Sequence, residues 1–230
     1  MIFPKRSNLL LLLASLLLLG AAPPLVELDL GLGPDAVTRA TPGYPRGLKP
    51  PHLREEVKRP PLMVPPGMEN LALYRPISAS DEEPITGDLY QINDDIKKSD
   101  PFDYVELGPG LQWVQVDLEA RYEIFAVAVW HFYKNPVIYN DVILQASNDE
   151  AFQDEVKTLF NNDHDFSSGV DRGHDTAYYT RWWGELVDTR DEDGVPLRAR
   201  FVRIYTGDGM EGERPRFVEL AVYGAPDPIR

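Results

Sequence analysis

The chain has 230 residues, with 23 Lys and Arg against 37 Asp and Glu, a net charge of −14 and no cysteine. The lack of cysteine excludes disulfides, thiolate zinc sites and thiol catalysis. The acid balance is concentrated in residues 70–230, which carry 15 basic and 31 acidic side chains; such a surface repels phosphate backbones and anionic lipid, excludes nucleic acid as a partner, and favours cations, calcium first.

In chain order, Lys5 and Arg6 precede an apolar run from Leu9 to Leu19, followed by Gly20-Ala21-Ala22. A basic start, an apolar stretch and small residues spell a secretory signal over 1–22. The run falls short of the ~20 apolar residues that span a bilayer. The expected location is therefore exported: periplasmic, cell-surface or secreted, with no insertion in the membrane after signal removal. Eleven of the 21 prolines lie between Pro23 and Pro66. Proline removes amide donors and fixes φ, so 23–69 reads as a Pro-rich, extended, disordered linker.

From Asn70 onward the apolar residues come in short alternating runs. Trp113 to Leu118 places Val114, Val116 and Leu118 on one face and Gln115 and Asp117 on the other. Ile124 to Trp130 is apolar on both faces, as in a strand buried mid-sandwich. Val142 to Ser147, Val202 to Tyr205 and Val218 to Tyr223 alternate again, with turn residues such as Asn148-Asp149 and Asp193-Gly194 between runs. No dozen residues carry a helical stripe, so the reading is an all-β sandwich or jelly roll over 70–226.

Five motifs in this order resemble a known family. They are Asn70-Leu71-Ala72 with Pro76 and Ser78-Ala79-Ser80, Trp113-Val114-Gln115-Val116-Asp117-Leu118, Ser147-Asn148-Asp149, Ala199 to Ile204, and Glu219 to Gly224. Together they are similar to the discoidin, or coagulation factor 5/8 C-terminal type, domains, in their bacterial exported form. The resemblance implies a galactose-binding-like jelly-roll β-sandwich, usually a non-catalytic adhesion or carbohydrate-binding module with a structural calcium ion. The positions matching the family's calcium loop are Asn93-Asp94-Asp95, with Glu219 opening the last strand. Asn93 and Asp94 stand where the family has Asp and Gly, so Asn93, Asp95 and Glu219 are expected metal ligands against the alternative of a solvated acidic loop.

For a ligand, the loop-rich segments hold the aromatics Tyr133, Tyr139, Tyr178, Tyr179, Trp182 and Trp183. A sugar ring is complemented by an exposed aromatic plate beside polar groups. That makes Tyr139, His164, Asp165, Arg181, Trp182 and Trp183 the candidate ligand-binding residues, with at most one of the adjacent tryptophans facing the ligand. The loop 161–179 also gathers Asp163, His164 and Asp165, which suit a transition metal in composition; adjacent side chains diverge, so loop structure or sugar hydrogen bonding is the expected use. His131 reads as a core histidine, with a polar network under that loop as the alternative. No nucleophile elbow, zinc-protease helix, P-loop or dinucleotide fingerprint occurs. The expectation is a non-enzymatic module that binds a glycan or glycoprotein through loops at one end of the sandwich. A protein-interaction or cell-envelope scaffold module without sugar specificity is the alternative, and a metal-dependent hydrolase is the third reading.

Overall fold

The computed structural model describes residues 23–33, 50–55 and 59–226. The expected signal segment 1–22 lies outside the described residues. Among those described, no helix is long and apolar enough to cross a membrane.

The strands are β1 (Val26–Glu27), β2 (Met63–Val64), β3 (Glu69–Asn70), β4 (Ile77–Ala79), β5 (Val105–Glu106), β6 (Gln112–His131), β7 (Ile143–Ser147), β8 (Lys157–Asn161), β9 (Glu185–Asp188), β10 (Leu197–Thr206) and β11 (Arg216–Pro226). One 3-10 helix, Leu89–Asn93, interrupts them. Strands β3 to β11 form one continuous antiparallel sheet that β6 folds into two facing layers. The two apolar runs at 113–118 and 124–130 are thus halves of a single 20-residue strand. The strand turns at Glu119, whose φ of 64° is left-handed. Its first half pairs with β4 and its second with β9 and β11, while β10 runs along both, against 112–117 and 122–124. Strands β7 and β8 extend the first layer, and β3 and β5 edge the second.

Between the layers, Val114, Val116 and Leu118 meet Val127, Val129, Leu220 and Val222, with Leu144, Val202 and Ile204 beside them. The outer face of the second layer is apolar too, which accounts for the unbroken run at 124–130. Phe125, Ala128, Trp130, Val218, Ala221 and Tyr223 lie there under Leu28, Leu30 and Val64. This corrects the reading of 23–69 as a free extended linker in its described parts. Strand β1 pairs antiparallel with β2 as a two-stranded strap, and Leu28 is 9 % exposed. Further along, Leu53 makes a parallel bridge with Ala177, fixed by Arg54 N–H to the Ala177 carbonyl at 2.9 Å and Ala177 N–H to the His52 carbonyl at 3.0 Å. Covering apolar sheet removes it from water at ~25 cal/mol per Å², which holds the strap down despite its prolines.

Candidate functional site

Trp182 and Trp183 occupy the tip of a tight turn closed by Gly184 N–H to the Arg181 carbonyl at 3.1 Å. Gly184 has a φ of 68°, and a Cβ there would lie 2.6 Å from the indole of Trp130. Glycine therefore permits both the left-handed backbone and the close seat on the sheet. The Trp130 indole N–H donates to the Trp182 carbonyl at 3.0 Å, fixing the turn to the buried strand. The two indoles are edge-on at 5.4 Å. Trp182 packs against the outer-face cluster, whereas Trp183 stands on the wall of a cavity of about 250 Å³. Of the adjacent pair, one is committed to packing and the other is available, as their chemistry requires, although they sit on a turn and not on a strand.

Four parts of the chain wall this cavity: Arg54 and Arg59 from the strap, Val129 and His131 at the end of β6, the 178–184 segment, and Glu185 and Leu186 opening β9. Arg54 holds Glu185 through two hydrogen bonds of 2.9 and 2.6 Å, and that bonding raises its pKa. Arg59 is half-buried and reaches the carbonyls of Trp183 at 3.5 Å and Gly184 at 3.2 Å; burial lowers its pKa. Arg181 is 7 % exposed, with its guanidinium 5.2 Å from the Tyr179 ring centre. Tyr178 is 8 % exposed, and its hydroxyl has no hydrogen-bond partner among the described residues. Burial holds that phenol well above the usual range. His131 is buried and neutral, pushed down to about 3 by desolvation, with Nε2 3.0 Å from the Thr206 hydroxyl.

The other candidate residues are distributed differently. Tyr139 is a core residue, not a platform: its hydroxyl donates to the Arg214 carbonyl at 3.2 Å and its ring sits against His131. Its apolar ring fills the space between layers, which overrides the loop-end position suggested by its neighbours in sequence. His164 and Asp165 do not line the cavity. The His164 Nε2 meets the Asp175 carbonyl at 2.8 Å, and its ring stacks on His52 with centroids 3.8 Å apart. Asp165 is exposed and accepts the Ser167 N–H at 3.0 Å. One carboxylate oxygen each from Asp141, Asp163 and Asp165 falls within 4.8 Å of the others. Yet Asp163 spends its oxygens on the Ser167 and Ser168 amides and the Ser168 hydroxyl, the structural use expected of buried loop carboxylates.

Asp95 and Glu219 come together, and Asn93 ends the 3-10 helix two residues before Asp95. The register shift between Phe217 and Glu219 leaves Glu219 opposite Trp130, and its Oε2 accepts the Asp95 N–H at 3.1 Å. Calcium takes six to eight oxygens; the Glu219 Oε1 is buried with no hydrogen-bond partner among the described residues. Asn93 presents its amide nitrogen, donating to the carbonyls of Ala72 at 2.7 Å and Arg75 at 2.9 Å. Asp95 is held by the ammonium of Lys97, itself 5.4 Å from the Trp130 ring centre. Glu219 is fully buried, and burial pushes its pKa up to about 9 against the pull of Lys97. The Lys97 ammonium stands beside these two carboxylates as a side-chain cation.

Of the residues expected from sequence, the cavity wall carries Arg181 and Trp183; it also carries Arg54, Arg59, Glu185 and Tyr178, which are not among the expected ligand residues. A signal for the strap exists: Val26, Leu28, Leu30 and Leu32 alternate with Glu27, Asp29 and Gly31.

No protein-family model and no curated protein sequence matches the chain. Among solved structures, the chain is similar to chitosan-binding module 1 of a chitosanase/glucanase from Paenibacillus sp. IK-5, at 19 % identity and a TM-score of 0.46, over 68 % of this chain and 99 % of that one. It is similar to the family 32 carbohydrate-binding module of Clostridium perfringens NanJ, solved with galactose, at 14 % identity and a TM-score of 0.45, over 64 % and 92 % of the two chains. A third, the family 32 module of AlyQ in complex with 4,5-unsaturated mannuronic acid, has 12 % identity and a TM-score of 0.44, over 64 % and 92 %.

Proposed function

We propose that the chain is an exported, non-catalytic module that binds a carbohydrate or glycoconjugate in the cavity beside Trp183. The observation that carries this reading is the pairing of an available indole with converging hydrogen-bond donors on one concave wall. Aromatic plates bind the apolar face of a sugar ring while polar groups fix its rim. A cavity of about 250 Å³ is smaller than the ~300–1,000 Å³ typical of drug-sized ligands, which suits a single ring or chain end. The basic start and apolar run at 5–19 support export. Affinity electrophoresis through gels cast with a panel of neutral and acidic polysaccharides tests the reading. Retardation by at least one glycan, reduced at least tenfold in affinity by Trp183→Ala, is the expected result. Free migration through the whole panel overturns it.

A further inference from the structure

Resting on the sugar-binding reading, we propose that the ligand carries an anionic group on its ring, a carboxylate or a sulfate ester, anchored by Arg59 with the Tyr178 hydroxyl as a further donor. The chain is strongly acidic, yet three arginines and one glutamate line this cavity. Elsewhere Arg75, Arg190, Arg198, Arg200, Arg214 and Arg216 each hold a carboxylate. Arg59 has no carboxylate partner among the described residues and rests on two backbone carbonyls.

The balance of donors and acceptors identifies the ligand class. A neutral sugar hydroxyl both accepts and donates, so a site for it mixes donors with open acceptors. Here the one carboxylate on the wall is bound twice over by Arg54. The carbonyls of Trp183 and Gly184 already face Arg59, and His131 Nε2 is engaged with Thr206. The Tyr178 hydroxyl, able to donate and to accept, has nothing to bond among the described residues, and the wall sets three guanidinium groups against one carboxylate. A buried unmet donor is unfavourable, and an anionic oxygen satisfies it while offsetting the guanidinium charges. Guanidinium also matches the planar fork of a carboxylate or the oxygens of a sulfate, so both ring substituents share this chemistry.

The test is titration calorimetry of the full chain with three oligosaccharides of matched length: oligogalacturonate, sulfated galactan and neutral galactan. Inorganic sulfate serves as a fourth titrant. The expected result is binding of an acidic oligosaccharide at least tenfold tighter than the neutral one, with the preferred acid distinguishing carboxylate from sulfate. Arg59→Gln is expected to remove about tenfold or more of that affinity, as loss of a hydrogen bond to a charged group does. Tyr178→Phe, which keeps the buried ring, lowers it several-fold, so the test stands even where Arg59→Gln disturbs the strap. Competition by inorganic sulfate supports the anion site. Equal binding of neutral and acidic oligosaccharides, unchanged in both variants, overturns this inference and leaves sugar binding intact. Binding of no oligosaccharide overturns the sugar-binding reading itself.

Discussion

The turn that presents Trp183 should be sensitive to substitution, and Gly184→Ala measures why. Two effects add at this position. A residue with a Cβ at φ 68° carries a left-handed penalty of ~1–2 kcal/mol. The new methyl would also stand 2.6 to 2.8 Å from three atoms of the Trp130 indole. That ring cannot yield freely, because it is fully buried and its N–H is bonded to the Trp182 carbonyl. Overpacking of this kind adds ~1–3 kcal/mol, giving ~2–5 kcal/mol in all, or a fall in Tm of ~4–20 °C for a domain of this size. Gly194 provides the control: its φ is 79°, but nothing lies within 4 Å of its Cβ position, so Gly194→Ala should lose only the backbone contribution, ~1–2 kcal/mol. Calorimetry of both variants, with the near-ultraviolet tryptophan signal, separates the terms. Equal losses in the two variants, with an unchanged tryptophan signal in Gly184→Ala, would refute the claimed contact between turn and strand.

Three further outcomes follow from the structure. His131 is held down to about 3 by burial, so the unfolded chain takes up the proton first; its contribution to stability is complete above pH 6.5 and lost as pH falls toward 3, at up to ~1.4 kcal/mol per pH unit. Acid titration of the unfolding midpoint should show this loss reduced in His131→Gln, and identical profiles would discount the histidine. Leu28→Ala should lower stability by ~2 kcal/mol or more in chemical denaturation, as for a buried leucine; no change would mean that the strap does not cover the sheet in solution. Lys97 serves Asp95 and Glu219 as a side-chain cation, so the wild-type Tm should be the same in calcium and in chelator, while Lys97→Met should gain a calcium-dependent rise. A chelator-induced fall in the wild-type Tm would restore a bound ion to that position.

What could be read from sequence follows the range of each physical signal. Alternation is local, so the strands at 113–118, 143–147, 202–205 and 218–223 are legible and the all-β sandwich follows from them. The continuity of β6 is not legible, because the left-handed Glu119 turns the chain at an irregularity in its pairing with β10 while the strand continues on both sides. The unbroken apolar run at 124–130 announces burial on both faces but says nothing of what lies on the second face. Calcium ligation by Asn93, Asp95 and Glu219 is what the family resemblance implies. The competing cation two residues on, Lys97, becomes relevant only when the 3-10 helix and its following loop bring it over Trp130.

The strap shows why proline content misleads about function as well as fold. Proline withholds an amide from a ladder, but it does not prevent the residues between prolines from laying apolar side chains on a sheet. Leu28, Leu30 and Val64 do so, and the same stretch of chain that seals the outer face passes the cavity and places Arg54 and Arg59 on its wall. Two of the three arginines on the cavity wall therefore come from a segment whose composition reads as a spacer. The apolar contacts of the strap and the charge of the site are linked through residues 59–64, to whose Leu62 carbonyl the Leu28 N–H donates at 2.8 Å. Loosening the strap at Leu28 should accordingly weaken binding as well as stability, whereas a spacer would pass on neither effect.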